Sequence, residues 1–398
     1  MVAAASAPMT VPRAGTVLSL LAGRGTFRIA YHATALALLA IWGTERFAVY
    51  AGAVGATAWL ALLSSGPEKT VLKLVPRLPR LAGAVVRTAL LTASVPVLLA
   101  AAGTAAMAGS PAVIYPLAAL WSAGLGLLGV AVAVHRATGR PLRDSQGFLL
   151  LAVLLPAAAT AVASSGFSPV GAVLAAAVST LVVAALSMRG ITVAAAPRTP
   201  TAAIVRSELL LGLYEPLGAA GVGVLYVALA VSGRRDGSAT LYLALLVSSV
   251  IGAGTLYLLR VYQPASSVRL RGAGARTGRA LTRRLLLAVS IAGLTGCAIA
   301  AALFRNGPAV SGIAVLVLLL AFEIPLHAAV SLALFVMENT GDRELILAAT
   351  AAATQFAAVA VLAALLVPAH GPPAALFALV ASYTVLAAST LPRLRRRA

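Results

Sequence analysis

Residues 321–330, AFEIPLHAAV, put a carboxylate, a proline and an imidazole into the middle of an apolar run. Glu323 and His327 are four positions apart, so on a helix they lie on one face and can meet. Pro325, between them, has no amide proton and frees the carbonyl of Ala321, which predicts a kink at mid-helix. An acid beside a freed carbonyl can take up a proton or a small cation. A structural Glu–His pair that satisfies itself is the competing reading. LYEPLG (213–218) carries a second acid–proline pair, Glu215 with Pro216, a few residues inside another apolar run. Glu323, His327 and Glu215 are therefore the candidate ion-coupling groups, although a carboxylate near a helix end can also reach out to the interface.

Three cations complete the candidate chemistry: Arg28 near the start of one apolar run, Arg87 inside another and Arg260 at the end of a third, all toward the side expected to be cytoplasmic. Guanidinium forks bind phosphate oxygens bidentately, so these residues suit an anionic, phosphate-bearing cargo. Arginines at helix ends also anchor to lipid headgroups and set topology. Other chemistry finds little support. There is no nucleotide-binding GxxxxGK[ST] loop, no HExxH, no nucleophile elbow and no catalytic carboxylate pair in a loop. Cys297 is the sole cysteine, which excludes an intrachain disulfide. His32, His135 and His370 have no partners at metal-ligand spacing. The chain is read as a non-enzyme with no cofactor and no metal.

The elements that hold these residues follow from composition. Of 398 residues, 61% are hydrophobic and 10% are charged, against about 25% charged in a soluble domain. That points to an all-α polytopic membrane protein. A net charge of +20 would suggest nucleic acid in a soluble chain, but here the basic residues fall in breaks between apolar runs, and nucleic acid is not expected as a partner. A spanning helix needs about 20 apolar residues. Twelve such helices are expected, at about 25–43, 46–65, 81–108, 112–135, 147–166, 168–188, 209–232, 239–261, 285–304, 309–337, 346–367 and 374–391. TVLSLLAG (16–23) reads as an interfacial pre-helix rather than a cleavable signal. Of the 30 Lys and Arg, 25 fall in the tails and even-numbered loops. Four, Arg46, Arg234, Arg235 and Arg305, fall in the odd-numbered loops. This alternation predicts that both termini are cytoplasmic, and the cytoplasmic (inner) membrane is the expected location.

An internal repeat is also expected. HRATGR (135–140) ends the fourth span and MENTGDR (337–343) the tenth, with TG shared at 138–139 and 340–341. The same register sets Trp121 opposite Glu323. Two parallel six-helix lobes follow, at 1–208 and 209–398, related by a pseudo-twofold repeat.

GTERFAVYAGAVGATAWLALLSSGPEKTVLKLVPR (43–77) resembles the stretch from the first to the third helix of polysaccharide flippases. ENTGDRELILAATAAATQFAAVAVLAALLVPAHGPPAALFALVASYTV (338–385) is similar to their last two helices, and QPASSVRLRGAGARTGRALTRR (263–284) to the basic connection after the eighth. The family is the multidrug/oligosaccharidyl-lipid/polysaccharide (MOP) exporter superfamily. The chain departs from it at Ala48, where the family's segment has glycine, and in its short loops. The resemblance implies two lobes that rock around a central cavity, and a flippase that moves a lipid-linked saccharide outward by alternating access. Envelope polysaccharide biosynthesis proteins would then be its partners, besides the lipid bilayer itself. Two alternatives stay open: a cation-coupled multidrug antiporter of the same fold, and a non-transport scaffold in cell-envelope assembly.

Overall fold

The computed structural model describes residues 14–166, 168–191, 201–234, 236–270, 274–305 and 312–395, and among these no strand occurs. The helices are α1 (Ala14–Thr57), α2 (Ser65–Leu74), α3 (Ala82–Ala106), α4 (Ile114–Ala137), α5 (Leu142–Ser164), α6 (Pro169–Met188), α7 (Thr201–Gly212), α8 (Tyr214–Val231), α9 (Gly237–Arg269), α10 (Gly274–Arg305), α11 (Gly312–Thr340), α12 (Asp342–His370) and α13 (Pro372–Arg395). The 3-10 turns Ala58–Ser64, Pro79–Leu81 and Pro111–Val113 join some of them.

Eleven segments among the described residues are long and apolar enough to cross a membrane. The first, Ala14–Leu74, has 61 residues, about 90 Å of helix at 1.5 Å per residue, against a hydrocarbon core of about 30 Å. Its backbone breaks at Gly43, where φ is 71° and ψ is −178°. Only glycine reaches that conformation without Cβ strain, and the break divides the segment into two lengths that can each cross. The chain is thus a multi-pass membrane protein of eleven to twelve helices. Side chains such as Leu98, Leu99, Val153, Val231, Leu294, Ile313 and Leu365 stand exposed, as lipid-facing positions must.

Several expected loops are helical. The pre-helix at 16–23 is continuous with the first span in α1. The stretch after the second span, expected as a basic loop, continues as α2 and is buried along most of its length. Much of 262–284 belongs to the ends of α9 and α10. At 32 residues, α10 is about 48 Å long; of the arginines in its first half, Arg279 pairs with Glu344 at 3.3 Å. Arg13, Arg198, Arg235, Arg271, Arg396 and Arg397 lie outside the described residues.

The chain divides into two compact units, Met1–Pro216 with Arg260–Ala265, and Leu217–Leu259 with Ser266–Ala398. In the first, α4 is the central element, packed by α1, α3, α5 and α6. Val71, Val85, Ala89, Leu127, Val130, Val134 and Ile204 form one continuous apolar core. There α2 crosses α7 at a glycine pair: a Cβ on Gly66 would stand 2.1 Å from the Glu208 carbonyl oxygen, and one on Gly212 would stand 2.7 Å from the Gly66 Cα. Such contact replaces the missing hydrophobic drive between apolar helices in lipid with van der Waals packing. In the second unit α13 is central, packed on α10, α11 and α12, and its Ala374, Ala375, Ala378 and Ala387 are buried. The helix α11 runs unbroken through Pro325; the ring removes one amide donor without ending the helix.

Candidate functional site

Each unit holds a cluster of buried polar side chains around the acids. The first begins at the α4–α5 turn. Arg136 stands in the last turn of α4 and Asp144 in the first turn of α5, each at the helix end whose dipole favours its charge. Between them the chain closes α4 with Gly139 at φ 80°, the Arg140 amide donating to the His135 carbonyl at 2.8 Å and the Gly139 amide to that of Arg136 at 3.2 Å. This left-handed glycine cap turns the two charged ends toward each other.

Arg24 of α1 grips Asp144 through Nε at 3.2 Å and Nη2 at 3.3 Å. Arg136 reaches the same carboxylate at 3.0 Å and Glu68 Oε1 of α2 at 2.9 Å. Arg24 Nη2 also lies 3.7 Å from Glu68 Oε1. Arg260 of α9 pairs with Glu68 and with Glu215 of α8. Lys69 closes the chain at 3.0 Å from Glu215 and donates to the Leu211 carbonyl at 3.2 Å. Four cations and three carboxylates thus alternate through α1, α2, α4, α5, α8 and α9, all inside the first unit. Asp144 is 0% exposed, Glu68 3% and Glu215 5%. Ions this deep are tolerated only when paired and hydrogen-bonded on every side.

The second cluster is smaller. Glu323, 3% exposed in α11, accepts a hydrogen bond from Ser248 Oγ of α9 on one oxygen and from the Tyr383 hydroxyl of α13 at 3.2 Å on the other. His327 Nδ1 stands 2.9 Å from that same hydroxyl. No cation pairs with Glu323 among the described residues. Its partners are neutral hydroxyls, whereas the three carboxylates of the first cluster each lie between cations.

The sequence-derived candidates are distributed unevenly over these clusters. Glu323 and His327 do come together, but through Tyr383 rather than directly. Arg260 and Glu215, expected to have separate roles, are ion-paired with each other. Arg28 is half-buried, with its guanidinium 6.0 Å from the Tyr31 ring centroid; Arg87 is exposed on α3. Arg87 takes part in no ion pair of the first cluster among the described residues. Trp121, the register mate of Glu323, is buried in α4 with its ring 5.5 Å from that of Tyr31. No group of three or more His, Cys, Asp or Glu side chains that could hold a metal occurs among the described residues.

Arg24, Glu68, Lys69, Arg136 and Asp144 escaped the sequence reading because they fall in stretches that looked like basic loops. One signal was available. The chain has only ten acids, and two of them, Glu68 and Asp144, stand amid Lys and Arg.

No protein-family profile matches the chain, and no curated protein sequence matches it. Solved structures do. One, a MOP superfamily transporter from Pyrococcus furiosus Vc1 (DSM3638) described by a reverse polarity of its binding pocket that suggests a different function, is 15% identical. It covers 96% of this chain and 95% of its own length with a TM-score of 0.58. An outward-facing multidrug resistance MATE family transporter of that superfamily is 17% identical, with 96% and 95% covered and a TM-score of 0.56. An inward-facing one is 17% identical, with 99% and 97% covered and a TM-score of 0.53. The chain therefore has the fold of the MATE transporters of the MOP superfamily.

Proposed function

We propose that the protein is an alternating-access transporter of the cytoplasmic membrane that moves a lipid-linked saccharide outward. In this reading twelve spans form two six-helix lobes, about 1–208 and 209–398, and both termini face the cytoplasm. Support comes from the fold, shared over nearly the whole chain with transporters, and from the Lys/Arg alternation. The observation that carries the substrate class is Arg87, an exposed cation near the start of an apolar helix, without an ion pair among the described residues. A charge so placed is available to a diphosphate headgroup, and Arg28 is the second candidate. Arg260 takes a different part from the one its position in the sequence suggests: with Glu215 it neutralises the buried network. Glu323 and His327 serve as the ion-coupling groups.

A second reading, cation-coupled export of hydrophobic drugs, is favoured by the unpaired acid at Glu323. Reconstitution into proteoliposomes separates the two. The expected result is movement of a fluorescent polyprenyl-diphosphate saccharide between leaflets, read by quencher access, and its loss in Arg87→Gln. Efflux of a cationic dye with no movement of the lipid would overturn the flippase. Movement of neither would leave the scaffold role in envelope assembly.

A further inference from the structure

We infer that Tyr383 is a proton relay between His327 and Glu323, and that the coupling ion is the proton rather than an alkali cation. This rests on the reading of Glu323 as the coupling group, and adds the path and the ion.

The geometry sets the direction of each hydrogen bond. A carboxylate only accepts, so the Tyr383 hydroxyl donates to Glu323 across 3.2 Å. Its oxygen is then left to accept, and the group facing it at 2.9 Å is His327 Nδ1, which must carry its proton. That assignment leaves Nε2 of the neutral ring as the basic end. His327 is the less buried of the two, and its imidazole forms the other terminus of the chain.

Proton movement along it balances. A proton arrives at Nε2; the Nδ1 proton passes to the tyrosine oxygen; the tyrosine proton passes to Glu323. The carboxylate ends protonated, Tyr383 is unchanged, and His327 has exchanged one tautomer for the other. The reverse sequence discharges it along the same atoms.

The surroundings suit a proton: the three groups in line, a carboxylate, a phenol and an imidazole, can each give and take one, and Ser248 holds the second Glu323 oxygen. Helix α13 presents Tyr383, and α9 presents Ser248 and the backbone at Gly252. From α10 and α12 no charged side chain pairs with Glu323 or His327 among the described residues. The ring edge has room because residue 252 is glycine: a Cβ there would lie 2.9 Å from Nε2 and 3.0 Å from Cδ2 of His327.

The test reads protonation without cargo. Infrared difference spectra of the purified protein in proteoliposomes, taken across a pH titration, are expected to show a carboxylic C=O band that is absent in Glu323→Gln. After a pH jump the band should grow about tenfold more slowly in Tyr383→Phe, the loss of a positioned proton-transfer partner. The same slowing is expected in Gly252→Ala, which displaces the ring while leaving every hydrogen-bonding side chain present. Added sodium should not move the titration. A band displaced by sodium, or one that grows at the wild-type rate in both variants, overturns the relay. If the band behaves as described while no saccharide moves, the relay stands and the flippase reading fails instead.

Discussion

In the first unit each of three buried carboxylates is shared by at least two cations, from Arg24 at one end to Lys69 at the other. In the second unit the mid-helix carboxylate of α11, Glu323, is held by a serine and a tyrosine, with an imidazole one bond further on. Both arrangements give their buried carboxylates hydrogen-bonded partners, and they do so with opposite chemistry. Shared ion pairs neutralise the buried charges of the first unit. Neutral donors satisfy Glu323 in either protonation state, because a hydroxyl can turn from donor to acceptor. On the reading proposed above, the first cluster stays as it is and the second changes.

Removing one member of the fixed network should have the largest effect. Arg260→Ala leaves Glu68 and Glu215 short of a partner and should destabilise the fold by about 3–5 kcal/mol, read as a lowered midpoint of chemical unfolding in micelles. A midpoint equal to wild type would mean that the network does not hold the unit together. Next comes Glu323→Gln, which keeps shape and hydrogen bonds but cannot take up a proton. It should lower gradient-driven transport about 100-fold while its unfolding midpoint stays at the wild-type value. If both variants lost stability equally, the contrast between the clusters would collapse.

Gly66→Ala sharpens the comparison on the packing side. The added methyl meets the Glu208 carbonyl, and separating α2 from α7 should cost about 1–3 kcal/mol and pull Glu68 and Lys69 from their partners. Its unfolding midpoint should fall between those of wild type and Arg260→Ala. The smallest effect is expected at Arg87→Gln: cargo movement falls about tenfold, the loss of one charge-assisted hydrogen bond, with unfolding unchanged. Saccharide transport at the wild-type rate in this variant would remove Arg87 from the cargo path.

Particular residues show how much could be read in advance. The helical membrane class and most spans were legible, because about 20 apolar residues in a row have few other uses. The Glu323–His327 pair was legible because helical spacing brings i and i+4 together. Tyr383 was not, since it stands 60 residues from Glu323 in a helix that had shown no special feature. The shared TG dipeptide proved a poor guide to local structure. Gly139 adopts φ 80°, whereas Gly341 is extended at φ −178°, so one dipeptide serves two different backbones.

By itself, then, the sequence determined the medium, the approximate number of crossings and the presence of an acid and an imidazole on one helical face. These depend on hydropathy and on neighbours within a turn, both of which are local. Only the tertiary structure decided that Arg260 and Glu215 neutralise each other, that Glu68 and Asp144 are buried rather than in loops, and that a tyrosine separates Glu323 from His327. Each of those facts is a contact between helices far apart in the chain, and Coulomb attraction and hydrogen bonding act on distance in space, which no spacing in the sequence records.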